Sequence, residues 1–137
     1  MPDRFEITVP ASKKQIAVIS EFIADLMTSS GFDAKKILEV QLAAEEACNN
    51  IASYAYPNSE GSMDIAMEIA DDHLELTIAD DGAPFDPTTK KAVASNVDVE
   101  NRPIGGLGIA LIRSTVDEIS YEYQDGKNVL RLIKNRA

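Results

Sequence analysis

The chain has one cysteine, Cys48, and one histidine, His73. A lone cysteine closes no internal disulfide, which suits a reducing compartment. The two residues also provide no set with metal-ligand spacing. Basic residues are scarce: 13 Lys and Arg stand against 23 Asp and Glu, for a net charge of −10. Counterion release from phosphates drives nucleic-acid affinity, and no Lys/Arg cluster beyond short pairs is present. Nucleic acid and anionic membranes are therefore poor partners. A small anion stays open, because backbone N–H groups and a metal bind one locally. No apolar run nears the ~20 residues that a membrane span requires. The opening Met1-Pro2-Asp3-Arg4-Phe5 lacks the basic-then-apolar layout of a signal peptide. The expectation is a cytoplasmic protein.

What is present reads as one compact domain over residues 1–137, 45% hydrophobic and 26% charged. Phe5, Ile7 and Val9 alternate with polar residues and predict a first strand ending at Pro10. Ser12 and Gln15 have capping-box spacing, and Ile16, Ile19, Phe22, Ile23, Leu26 and Met27 then recur at helical spacing. Gly31 is placed to end that helix and Asp33 to cap the next. The second helix carries Ile37, Val40, Ala44, Ala47, Cys48, Ile51 and Ala55 on one stripe. Two alternating runs, Met63 to Ile69 and Leu74 to Ile78, flank a turn at Asp71-Asp72, with His73 assigned to that turn as a surface residue. Residues 82–104 contain Pro84, Pro87 and Pro103 and little periodicity, as a functional lid would; a short helix is expected around Thr88–Ser95. A third helix opens at Gly105–Gly108 and carries Ile109, Ile112 and Val116. Ile119, Tyr121 and Tyr123 form a strand, Asp125-Gly126 a hairpin turn, and Val129 to Ile133 the last strand. This mixture predicts an α/β two-layer sandwich.

Three stretches carry candidate chemistry. Glu46 and Asn50 lie one turn apart and share a helix face, directed away from the Ile37/Ala44/Ile51 stripe. Such a pair is commonly just a solvated face. It also suits a metal and base site: Mg²⁺ prefers oxygen ligands and takes much of its ligation from phosphates, and a nearby carboxylate accepts a proton from a hydroxyl. Glu45 points about 100° elsewhere, so Glu46 is preferred. Asp80-Asp81-Gly82 ends an alternating strand, as a turn would; it also suits adenine capture. Adenine presents an amino donor, a carboxylate only accepts, and Gly82 would let the base approach the backbone. Gly105-Gly106-Leu107-Gly108 precedes an apolar-periodic helix, where freed backbone and unpaired N–H groups wrap an anion. No strand directly precedes these glycines, so they do not form a Rossmann loop, and no Walker A lysine follows. Cys48 reads as a core residue. Tyr54 and Tyr56 either pack or line the site.

Taken in order, the three stretches are more specific than any one of them. Glu46-Ala47-Cys48-Asn49-Asn50 resembles the N box of the GHKL ATPases, the group with the Bergerat ATP-binding fold. Asp80-Asp81-Gly82 resembles their first glycine box and Gly105-Gly106-Leu107-Gly108 their second. The run from Gly105 to Arg113 is similar to the anti-sigma-factor serine/threonine kinases of the RsbW type, and the likeness covers about residues 5–134. It implies a mixed, mostly antiparallel sheet with helices on one face and ATP beneath a lid. It also implies Glu46 as general base, Asn50 as Mg²⁺ ligand and Asp80 as the adenine-binding aspartate with Gly82 beside it. Gly105, Gly106, Leu107 and Gly108 would lie near the phosphates. Such kinases are often homodimers that bind a sigma factor and phosphorylate a serine on an anti-anti-sigma partner of the STAS type. Arg102 sits too early to match a phosphate-contacting arginine. The chain is too short for the phosphoacceptor helices of a histidine kinase or the transducer domain of gyrase-type members. A non-catalytic module that sequesters a partner, with or without nucleotide, is the alternative.

Overall fold

The computed structural model describes residues 3–56, 60–84 and 112–136. Its elements are β1 (Asp3–Pro10), a 3₁₀ turn (Lys13–Gln15), α1 (Ile16–Ser29), α2 (Ala34–Asn50), a π-helical turn (Ile51–Ala55), β2 (Ser62–Ile69), β3 (His73–Asp80), β4 (Glu118–Gln124) and β5 (Lys127–Asn135). Residues 112–115 are also helical. They are the described end of the expected third helix; its start, the glycine run and the short helix expected at Thr88–Ser95 lie outside the described residues.

The strands form one sheet in the order β1-β2-β3-β5-β4. All four pairings are antiparallel, so the described sheet lacks the parallel pair that a mixed sheet would contain. Alternation sets its two faces. Met63, Ile65, Met67, Leu74, Leu76, Ile78, Leu130 and Leu132 are buried together with Ile19, Ile23 and Met27 of α1 and with Val40, Ala43, Ala44, Ala47 and Cys48 of α2. The opposite face holds exposed ion pairs such as Arg4–Glu68 and Arg131–Glu122, each contributing little to stability. The helices thus cover one face of the sheet in a two-layer sandwich, as expected.

Local chemistry explains the element ends. The Asp33 side chain accepts from the Lys36 N–H at 2.9 Å and caps α2. At the end of α1, Gly31 N–H donates to Thr28 O and Phe32 N–H to Met27 O, a Schellman closure, and Phe32 is buried. The expected capping box does not form: the Ser12 side chain makes no capping bond, and the chain enters α1 through the 3₁₀ turn instead. Asp125 and Gly126 both take positive φ, 54° and 78°, the conformation that a two-residue hairpin turn with the sheet's own twist requires. His73 starts β3 and is not in the turn; it bonds the exposed Asp72. At the far end of β5, the buried Lys134 donates to Thr115 O at 2.7 Å and pairs with Glu39 at 3.0 Å, joining α2 to the helical turn at 112–115.

Candidate functional site

At one end of the sheet the tail of α2, the π-helical turn and the ends of β3 and β5 enclose a narrow cavity. It is lined by Ala47, Asn50, Ile51, Ala55, Ile78, Asp80, Tyr121, Asn128 and Leu130. The open space is about 30 Å³, room for one or two waters. A purine is larger, so a base enters only if the lining yields.

Asp80 falls on the inward register of β3, after Leu74, Leu76 and Ile78. Its Oδ1 accepts from Gly82 N–H at 2.9 Å and from Asn128 Nδ2 at 2.9 Å. Both bonds fall on Oδ1, which leaves Oδ2 as the open acceptor of the carboxylate. Burial raises the Asp80 pKa above the ordinary carboxylate value. The bonds from Asn128 and Gly82 oppose that rise, and the charge of Asp81 adds to it.

The Asp80-Asp81-Gly82 turn is fastened to the tail of α2. Ala83 N–H donates to Ala55 O at 2.9 Å. A Cβ on residue 82 would lie 2.3 Å from that same carbonyl oxygen, so only glycine fits. The glycine therefore serves close packing against Ala55. Tyr56 adds a second fastening: its hydroxyl lies 2.6 Å from Asp81 Oδ1 and 3.0 Å from Ser62 O, and it accepts from Asp81 N–H at 3.1 Å. Burial, followed by the bond to Asp81, pushes the Tyr56 phenol up to about 12. Tyr56 thus holds the turn, while Tyr54 is partly exposed.

Asn50 differs from these groups. It is 2% exposed, and neither its Oδ1 nor its Nδ2 has a hydrogen-bond partner among the described residues. The expectation that its face points away from the packed side of the helix is corrected, and the alternative of a solvated face does not hold for this residue. α2 gives way to a π-helical turn directly after Asn50, and the residue lines the cavity beside Ala47 and Ile51. Native chains seldom bury an unpaired amide, which costs about 1–3 kcal/mol. An unpaired amide oxygen is a donor of the kind that an oxygen-seeking cation such as Mg²⁺ takes, so the chemistry of Asn50 fits that ion.

Glu46 lies one turn earlier on α2, half-buried and outside the cavity lining, with no hydrogen bond or ion pair among the described residues. Glu45 is tied to α1, accepting from Ser20 Oγ at 2.8 Å, which leaves Glu46 as the available carboxylate. The structure therefore brings Asn50 and Asp80 into one cavity, with Gly82 bonded to Asp80 and Glu46 alongside. Gly105, Gly106, Leu107, Gly108 and Arg102 lie outside the described residues. No group of three or more His, Cys, Asp or Glu suited to a metal is found among the described residues. Cys48 is fully buried, and its thiol is pushed up to about 12 by burial, as befits a core residue.

Comparison with known proteins matches residues 9–134 to the histidine kinase-like ATPase domain. The chain belongs to that family. A serine-protein kinase RsbW from Bacillus mycoides (strain KBAB4) is 31% identical over 93% of this chain and 82% of its own length. The serine-protein kinase RsbW of Bacillus cereus (strain G9842) is 32% identical over the same shares. Among solved structures, the RsbU and RsbW domains of a Mycobacterium tuberculosis protein superpose with a TM-score of 0.71 at 17% identity, over 98% of this chain and 33% of that one. The histidine kinase domain of a blue-light activated histidine kinase from Erythrobacter litoralis gives 0.58 at 14% identity, over 93% and 62%. The expected GHKL fold, the RsbW-like kinase class and the use of ATP that goes with it are borne out. No helix among the described residues is long and apolar enough to cross a membrane.

Sequence reasoning missed Asn128, Tyr121 and the carbonyl of Ala55. For Asn128 a signal existed. It shares the inward register of β5 with Leu130 and Leu132, and a polar residue in a core-facing register implies a buried partner.

Proposed function

We propose that this chain is an ATP-dependent serine/threonine protein kinase acting as an anti-sigma factor, which phosphorylates a STAS-domain anti-anti-sigma protein and binds a sigma factor. The observation that carries the reading is the pairing, in one cavity, of an orphaned buried amide on Asn50 with a buried carboxylate on Asp80. Asp80 would hold the adenine amino group through Oδ2. Asn50 Oδ1 would take a place in the Mg²⁺ shell, and that ion would screen the charge of the phosphates. Glu46 would accept the proton of the substrate serine as its oxygen attacks the terminal phosphorus and ADP leaves. Gly82 supports the turn that bears Asp80, and Gly105, Gly106, Leu107 and Gly108 would cradle the phosphates through backbone N–H groups. The relatives named as serine-protein kinases lend support to a serine acceptor. A homodimer in the cytoplasm, organised as a single domain, completes the reading.

The test is transfer of labelled phosphate from ATP to a serine-bearing STAS protein. Glu46→Gln is expected to slow transfer by about 10²–10⁴-fold while leaving ATP affinity within a few-fold. Full transfer by Glu46→Gln would remove the base assignment. Sigma-factor binding that ignores ATP, with no transfer by the wild type, would favour a sequestering module.

A further inference from the structure

Asn128 is buried and sits opposite Asp80 in the β3–β5 register. One end of its amide lies 2.9 Å from Asp80 Oδ1 and 2.9 Å from Ala83 O. A carboxylate and a carbonyl only accept, so that end has to be the nitrogen. The other end, Oδ1, takes a hydrogen bond from the Tyr121 hydroxyl on the edge strand β4. The phenol therefore fixes which way the amide faces, and the amide, together with Gly82 N–H, occupies Asp80 Oδ1. The chain of donors runs from Tyr121 to Asn128 to Asp80, and both side chains line the same cavity as the carboxylate.

We propose that Asn128, oriented by Tyr121, sets base selectivity at this site. With Gly82 N–H it saturates Asp80 Oδ1 and so holds the acceptor-only Oδ2 in one orientation. Such an acceptor takes a purine carrying an amino donor at the facing position, as adenine does, and repels one carrying a carbonyl there, as guanine does. Asn128 is a positioning residue, acting through Asp80. The inference rests on the reading of the cavity as a nucleotide site.

The experiment is calorimetric titration of the full chain with Mg-ATP and, separately, Mg-GTP, on the wild type, Asn128→Leu and Tyr121→Phe. The wild type is expected to prefer ATP. Asn128→Leu, which keeps the volume and removes the donor, is expected to lower the ATP-to-GTP affinity ratio by about tenfold. Tyr121→Phe, which keeps the ring, is expected to lower it by about threefold; it decides the matter if Asn128→Leu does not fold. Equal losses for both nucleotides, leaving the ratio unchanged, would mark Asn128 as merely structural and overturn the inference. Wild-type binding of ATP and GTP alike would overturn it too while leaving the nucleotide reading standing. A folded wild type that binds neither would remove both.

Discussion

The two walls of the cavity treat their polar groups in opposite ways. On the strand wall, Asp80 is bonded by Gly82 and Asn128, Asn128 by Tyr121, and Asp81 by Tyr56. On the helix wall of the same lining, Asn50 is as deeply buried, and its amide is bonded to nothing among the described residues. A wired carboxylate is set in one orientation before any ligand arrives. An orphaned amide is a stability cost that folding alone does not explain, and costs of that kind gather where ligands are bound. In the proposed reading the strand wall selects the base and the helix wall coordinates Mg²⁺.

The largest expected effect would break the strand wall at its fastening. Gly82→Ala places a methyl 2.3 Å from Ala55 O, so the turn or the π-helical segment must shift. A loss of about 1–3 kcal/mol in urea unfolding is expected, together with weakened nucleotide binding. Unchanged stability would mean that the turn is looser than the structure indicates. On the helix wall the sign reverses. Asn50→Leu replaces an unpaired amide with an apolar group of similar size, so the protein should gain about 1–2 kcal/mol while losing Mg²⁺-dependent nucleotide binding. A melting curve and a titration on the same sample check both halves.

Acid separates the two walls, because Asp80 titrates and Asn50 does not. Adenosine, which has no phosphates to complicate the titration, should bind more weakly as pH falls and Asp80 takes up a proton. The raised pKa means that this loss begins above the ordinary carboxylate range. Stability carries the opposite sign. Asp80 taken alone favours the folded state most below that range, and this contribution is lost as pH rises from the ordinary to the raised value. Adenosine affinity that stays flat through this range would contradict the role given to Asp80. The smallest effect belongs to Tyr56→Phe, which removes one fastening of the turn and should cost about 0.5–1.5 kcal/mol in thermal unfolding.

Much of this architecture was legible in the chain. Period-two alternation placed β1, β2, β3 and the last hairpin, and the stripes from Ile16 to Met27 and from Ile37 to Ile51 placed α1 and α2. Asp33 and Gly31 marked helix ends through local hydrogen bonds, which is why they could be read locally. Asn50 was misjudged because it was measured against Ile37, Ala44 and Ile51; the buried Ala43 and Ala47 precede it on the same α-helix at i, i+4, i+7 spacing, so regular helical geometry already puts it on the packed face. Asp80 was found through its turn. Asn128 was not, because its meaning depends on pairing with a strand 48 residues earlier. Gly82 was read as room for a ligand, whereas the room is taken by Ala55.

In the proposed reading, the wired carboxylate of Asp80 and the orphaned amide of Asn50 together form a Mg-ATP site. Its most direct test is calorimetric titration of Mg-ATP into the wild type and Asp80→Asn. The asparagine offers amino donors where adenine also donates, so saturable binding by the wild type and a loss of about 100-fold or more in the variant are predicted. Equal binding by both proteins, or none by a folded wild type, would contradict the account.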